Sequence, residues 1–396
     1  MTNFKTIDDI EVSDKRVLVR ADLNVPIVHG KIADMTRIRR VSSTITELLD
    51  RGAKVIVASH FGRPDGKFNL EYSLAPIADG LSIATGREVK FAVDCVGPEA
   101  ETAAKNLNEG ELLLLENLRF HEGEEDNNPE FAAQLAKLAD IYVNDAFSCS
   151  HRAHASIVGV AKLLPSAAGR LMQEELESLE SILGNPQKPV AAIIGGSKIS
   201  TKLALLETLL QKVDVMIIGG GMANTFLKAQ GKNIGTSICE DKLLDTARKI
   251  MDEAKKKGCN IVLPVDCVVT KEFKKHAMSK ILAADKVTEG MILDIGPRTV
   301  EVAAKALADV KTIVWNGPMG AFEFPPFDVG TVSLARVVGA LAAEGKIKSI
   351  SGGGDTVSAL AHSALSDSFT YISTAGGAFL EWLEGKELPG IAALTK

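Results

Sequence analysis

The sequence predicts an α/β protein with two doubly wound, mostly parallel sheets, and three observations carry the prediction. Apolar runs of strand length alternate with amphipathic helical stretches along the whole chain. The runs lack polar alternation, the pattern of strands covered on both faces by crossover helices. At 396 residues the chain is too long for one ordinary core, so two domains of roughly 200 residues are expected.

Strand runs fall at residues 17–20, 55–59, 89–93, 112–115 and 141–143, and resume at 190–194, 215–218, 261–265, 313–315, 348–350 and 371–373. Helical patterns lie between them, for example at 37–50, 129–139 and 199–210. A single (β/α) barrel has eight strands, too few for these runs. The alternation breaks at 170–189, where RLMQEELESLESIL reads as a solvated amphipathic helix closed by Gly184-Asn185-Pro186 and Pro189. That helix is either an inter-domain hinge or an ordinary crossover. The expected division is 1–170, a hinge helix at 171–186, and 187–383, with the tail 384–396 completing the first domain.

Composition narrows the function classes. The chain is 46% hydrophobic and 24% charged, enough to fill two cores. A formal net charge of −6 argues against a bulk nucleic-acid or anionic-membrane binder. Five scattered cysteines with no C-x-x-C read as reduced thiols of a cytoplasmic protein. The first twenty residues carry charges throughout, so no secretory signal is expected. No apolar run approaches the roughly 20 residues of a membrane span.

The strand ends change character halfway along. In the first half they finish in Arg, His, Asp and Asn, as in RVLVRADLNVP, VIVASHFGRP and LLLLENLRF. The basic set is Arg20, Arg37, His60, Arg63, Arg119, His151, Arg152 and Arg170. Parallel strand ends gather on one sheet edge, so these cations converge there, and convergence is costly unless an anion occupies the space. Arginine's planar fork suits carboxylate and phosphate oxygens. Asp22 and Asn24 either meet a substrate hydroxyl or close an Asx turn on their own backbone.

In the second half the strands finish in glycines: AAIIGGSK, VMIIGGGM, SISGGGDT and TYISTAGG. Bare backbone at helix starts suits the phosphates of a nucleotide. With a helix over 199–210, Lys198 and Lys202 stand one turn apart and reach the same phosphates. Asp355 is either a helix cap or a Mg²⁺ ligand beside a phosphate chain. The chain has no Walker-type G-x-x-x-x-G-K-[S/T], no G-x-G-x-x-G after a strand, no G-x-S-x-G and no H-E-x-x-H. A small-polyanion site and a nucleotide site together make a phosphotransferase.

Eight strings in order, RVLVRADLNVP, SHFGRPDGK, ENLRFHEGEE, VNDAF with HRAHAS, GGSKISTK, IIGGGMANTFL, WNGPMGAFE and SGGGDT, resemble phosphoglycerate kinase from near residue 16 to near 390. The resemblance implies two Rossmann-like domains joined by a hinge helix in a cytoplasmic monomer. It implies Mg²⁺-dependent, reversible phosphoryl transfer between ATP and the carboxylate of 3-phosphoglycerate, giving ADP and 1,3-bisphosphoglycerate. Asp22, Leu23 and Asn24 then meet the acceptor's hydroxyl end, and Arg37 its carboxyl group. His60, Phe61, Gly62, Arg63, Arg119 and Arg152 bind the 3-phosphate. Lys198, Lys202, Gly354 and Gly377 surround the transferred phosphoryl, with Asn316 nearby. Gly353, Gly354 and Thr356 hold the phosphate tail, Asp355 Mg²⁺, Glu323 the ribose, and Gly221 and Gly296 the adenine.

The chain departs from the resemblance at Ser148-Cys149-Ser150, at Pro325-Pro326 and at Ala375 to Phe379, where a Phe ring stands beside a helix start. Two other classes compete. A dinucleotide-dependent dehydrogenase lacks its fingerprint glycines here. A non-catalytic anion-binding module would have no use for Arg37, both lysines and Asp355 together.

Overall fold

The computed structural model describes residues 4–373 and 375–395. They form two compact units: one runs to Glu177 and takes back the chain from Glu387, and the other spans Ser178–Lys386. Among the described residues no helix is long and apolar enough to cross a membrane.

The first unit holds a six-stranded sheet in the order Val89–Phe91, Leu112–Leu114, Lys54–Ala58, Arg16–Arg20, Ile141–Asn144, Ser166–Ala168. Every pairing is parallel. Successive residues point to opposite faces, so Val17, Val19, Val55 and Val57 enter one core while Leu18, Ile56 and Ala58 enter the other. Thr36–Asp50 covers the first face through Ile38, Val41, Ile45 and Leu48. Pro129–Ala136 covers the second, with the Asn128 side chain capping the N–H groups of Glu130 and Phe131.

The second unit repeats the plan in the order Asn260–Val262, Val215–Ile218, Val190–Ile194, Thr312–Asn316, Lys348–Gly352, Tyr371–Ser373, again all parallel. Ala191, Ile193, Ile313 and Trp315 anchor its core. It also carries an antiparallel sheet, Ser279–Ala283, Asp266–Thr270, Met291–Ile295, which the strand reading did not anticipate.

Four expected elements differ. The helix over 199–210 begins only at Leu203. Glu240 accounts for the delay, because its carboxylate accepts from Ser200 N–H at 3.0 Å and Ser200 Oγ at 2.5 Å and holds a turn there. The runs at 89–93 and 261–265 are paired only over Val89–Phe91 and Asn260–Val262. The helix from Arg170 runs to Leu179 and continues as a wider π-type turn over Glu180–Gly184. Its start is fixed by Asp145, whose Oδ1 accepts from Met172 N–H at 2.9 Å. At the other end of the chain, Gly390 N–H donates to the Ser150 carbonyl at 2.9 Å.

Candidate active site

In the first unit the candidate residues leave the sheet at its carboxyl edge, where open α/β sheets bind ligands. Asp22, Leu23 and Asn24 follow Arg16–Arg20, His60 to Arg63 follow Lys54–Ala58, Arg119 follows Leu112–Leu114, and Arg152 follows Ile141–Asn144. The Asx turn is present, with Asn24 N–H donating to Asp22 Oδ1 at 3.1 Å. Asn24 Oδ1 accepts from Gly62 N–H at 3.0 Å, tying two strand ends together. Arg37 Nη1 lies 3.3 and 3.2 Å from the two Asp22 oxygens and donates to the Asn24 carbonyl at 2.7 Å. Burial alone would raise the Asp22 carboxyl, but His60, Arg37 and the Ser148 hydroxyl hold it below its ordinary value.

Backbone geometry fixes the next strand end. Leu23 donates to Ser59 Oγ at 2.9 Å. Phe61 N–H donates to Asn117 Oδ1 at 3.1 Å, and Asn117 Nδ2 returns a bond to the Phe61 carbonyl at 2.7 Å. Gly62 has φ +59°, and a Cβ there would overlap the Tyr72 ring. Only glycine satisfies both conditions.

The basic groups do converge. Arg20 is fully buried; its Nε donates to Ser156 Oγ at 2.8 Å and its Nη2 lies 3.3 Å from His60 Nδ1. A guanidinium only donates, so Nδ1 accepts and the neutral His60 ring carries its proton on Nε2. Burial pushes His60 well below the usual histidine value, with Asp22 opposing and Arg20 and Arg119 reinforcing the shift. Burial likewise pushes His154 down to about 3, helped by Arg20, Arg119 and Arg152. Arg119, 6% exposed, donates to the Gly62 carbonyl at 2.8 Å and sits 3.0 Å from Glu125 Oε1. Arg152 reaches the same carboxylate oxygen at 4.0 Å. Arg63 is exposed at the rim of its loop. Arg170 does not join them: Asp8 and Glu47 each hold its Nη2 at 2.5 Å.

The second unit splits its glycines into two kinds. Gly195 and Gly317 serve packing, since a Cβ on Gly195 would overlap the Pro318 carbonyl and one on Gly317 the Gly195 carbonyl. A Cβ on Gly354 or Gly376 would meet nothing within 4 Å, and Gly376 has φ +52°. Their backbone is open. Gly353 is the N-cap of Gly354–His362, with φ +97°, and a Cβ there would lie 2.5 Å from Asn316 Nδ2. Asn316 Nδ2 donates to the Gly352 carbonyl at 2.7 Å, Gly317 N–H donates to Thr356 Oγ1 at 2.7 Å, and Lys202 Nζ donates to Asn316 Oδ1. Burial lowers Lys202 from the usual lysine value, with Asp355 opposing.

The remaining residues take varied places. Lys198 is exposed and precedes the helix, and Lys202 is the helix's N-cap, so the two are not stacked on one helical turn. Glu323 is exposed. Gly221 lies under Ile238, in the first turn of Gly220–Ala229. Gly296 caps Pro297–Leu307 against Asp266 and lines a cavity of about 380 Å³ with Pro297, Val300, Pro326 and Val329. Gly377 opens Gly377–Leu383. The Phe379 ring is fully buried against Gly352, so it does not stand in the open space before that helix. Asp355 is exposed in the first turn beside the open face of Gly354. A carboxylate there, completed by phosphate oxygens and waters, is a donor set that suits Mg²⁺.

Two parallel-sheet units, one with a buried cationic cluster and one with open glycine backbone beside a lysine, define a nucleotide-dependent phosphotransferase. The phosphoglycerate kinase family model matches residues 7–386. A curated phosphoglycerate kinase from Xanthobacter autotrophicus is 55% identical over 397 residues, covering 100% of both chains. The solved structure of phosphoglycerate kinase from Coxiella burnetii matches with a TM-score of 0.91 at 46% identity, over 99% of each chain. That from Pyrococcus horikoshii OT3 matches with 0.84 at 31% identity, over 98% of each. The chain belongs to the phosphoglycerate kinase family. It is a kinase with a carboxyl group as acceptor, and it transfers a phosphoryl group between ATP and 3-phosphoglycerate in glycolysis.

Proposed function

We propose that the first unit binds 3-phosphoglycerate and the second binds ATP or ADP with Mg²⁺, and that the protein works as a cytoplasmic monomer because this chain supplies both sets. The observation that carries the assignment is the gathering of buried Arg20, His60 and Arg119 with the partly exposed Arg152 in one field, with Glu125 between Arg119 and Arg152. In this reading His60, with its proton on Nε2, joins the backbone of Phe61 and Gly62 and the cations Arg63, Arg119 and Arg152 around the 3-phosphate. Asp22, Leu23 and Asn24 orient the hydroxyl-bearing carbon, and Arg37 the carboxylate that reacts.

On the nucleotide side, Lys202 exchanges Asn316 for a phosphate oxygen, and Lys198 swings in from solvent. The N–H groups of Gly353, Gly354 and Thr356 point at the phosphate tail, and those of Gly377 at the transferred group. Glu323 serves the ribose, and Gly221 and Gly296 the adenine. Asp355 would hold Mg²⁺, which supplies charge neutralisation on the phosphates.

The acceptor carboxylate is already ionised, so the reaction needs no general base. Catalysis comes from alignment and from cations and N–H groups meeting charge on the equatorial oxygens. Arg37 contributes most where that charge is greatest. A coupled assay with ATP, Mg²⁺ and 3-phosphoglycerate should show turnover, and Arg37→Ala should lower kcat far more than it raises KM. A raised KM with unchanged kcat would restrict Arg37 to binding, and no turnover in the intact protein would end the reading.

A further inference from the structure

Ser148 stands beside the acceptor residues with a partner the reaction chemistry does not require. It lies in the tight turn Phe147–Cys149, just after the strand Ile141–Asn144. That strand pairs in parallel with Arg16–Arg20, with Asn144 opposite Arg20, so the two following loops leave the sheet side by side. The turn is held by Cys149 N–H and Ser150 N–H donating to the Ala146 and Phe147 carbonyls, each at 2.9 Å. From it, Ser148 Oγ donates to Asp22 Oδ2 at 2.5 Å. A short hydroxyl-to-carboxylate bond belongs to the strong, charge-assisted class.

Asp22 is held by Arg37, by Ser148 and by the Asn24 N–H. Arg37 Nη1 approaches both carboxylate oxygens, at 3.3 and 3.2 Å, and Ser148 binds one of them from the other strand end. The Asx turn holds Oδ1 through Asn24 N–H at 3.1 Å, and the Ser148 hydroxyl holds Oδ2 against rotation of the carboxylate into a closer pair with Arg37. Such a pair would consume two groups at once, since the carboxylate is turned from the acceptor's hydroxyl and the guanidinium from its carboxylate. We propose that Ser148 is a positioning residue that holds the Asp22 carboxylate toward the acceptor hydroxyl and keeps it from closing further on Arg37. The proposal rests on Asp22 meeting that hydroxyl, as argued above.

Steady-state kinetics of Ser148→Ala, Ser148→Thr, Asp22→Ala and the Ser148→Ala/Asp22→Ala double variant test it. Ser148→Ala should raise KM for 3-phosphoglycerate about three- to tenfold, the scale of one ordinary hydrogen bond because the effect passes through Asp22, while KM for ATP moves little. Ser148→Thr, which keeps the hydroxyl, should restore most of the loss. In the Asp22→Ala background, Ser148→Ala should have no further effect, because the group it acts through is gone. An unchanged KM in Ser148→Ala, with Asp22→Ala impaired, would overturn the role of Ser148 alone. An equal effect of Ser148→Ala in both backgrounds would also overturn it. An unimpaired Asp22→Ala would instead remove the reading of Asp22 on which the proposal stands.

Discussion

His154 records how much positive charge the first unit concentrates. Its Nδ1 lies 3.7 Å from Glu124 Oε1, yet burial and the charges of Arg20, Arg119 and Arg152 hold its pKa down to about 3. The unfolded chain takes up a proton near the ordinary value of 6.5, and the folded chain does not until about 3. Unfolded protein therefore binds more protons in that window, and stability falls as pH drops from about 6.5 toward 3. His154→Gln should flatten that part of the profile, read by denaturant unfolding at a series of pH values; an unaltered slope would mean that the ring is charged in the fold. The cations were legible in the sequence because an arginine just after a parallel strand emerges at the carboxyl edge. Their partners were not. Ser156 meets Arg20 from 136 positions away, and Asp8 and Glu47 claim Arg170 across 162 and 123. Spacing along a chain carries no information about such pairs.

At the scale of elements, alternation of apolar runs and helical patterns located the strands of both parallel sheets except Ser166–Ala168. That strand is three small residues with no apolar signal. The antiparallel sheet escaped for another reason: a run of five residues such as Asp266–Thr270 carries no mark of the direction of its neighbours. The strand–glycine–helix pattern overstated the cradle. It does not separate Gly354 and Gly376, whose faces are open, from Gly195 and Gly317, which let backbones touch. The helix Gly354–His362 is the sharper test of the nucleotide side. Asp355→Asn keeps the side chain's shape and removes the charge that would hold Mg²⁺, so the Mg²⁺ concentration needed for half-maximal rate should rise. An unaltered Mg²⁺ dependence would leave Asp355 as a first-turn acid that merely favours the helix dipole.

For the molecule as a whole, the proposal places acceptor and nucleotide on different units, while in-line transfer requires reacting atoms within about 3–3.5 Å. We therefore propose movement about the segment of Arg170–Leu179 and Glu180–Gly184, driven when both ligands are bound and cations of both units share one anionic cluster. Solution scattering should give a smaller radius of gyration with both ligands than with either alone; equal radii in a fully active protein would exclude that movement. The division of labour itself is tested most directly by calorimetric titration of Arg119→Ala with each ligand separately. Affinity for 3-phosphoglycerate should fall by about 1.5–3 kcal/mol, the scale of one charge-assisted contact, while affinity for ADP with Mg²⁺ stays within error of the unaltered protein. An equal loss for both ligands, or a loss for ADP alone, would contradict the assignment of acceptor and nucleotide to separate units.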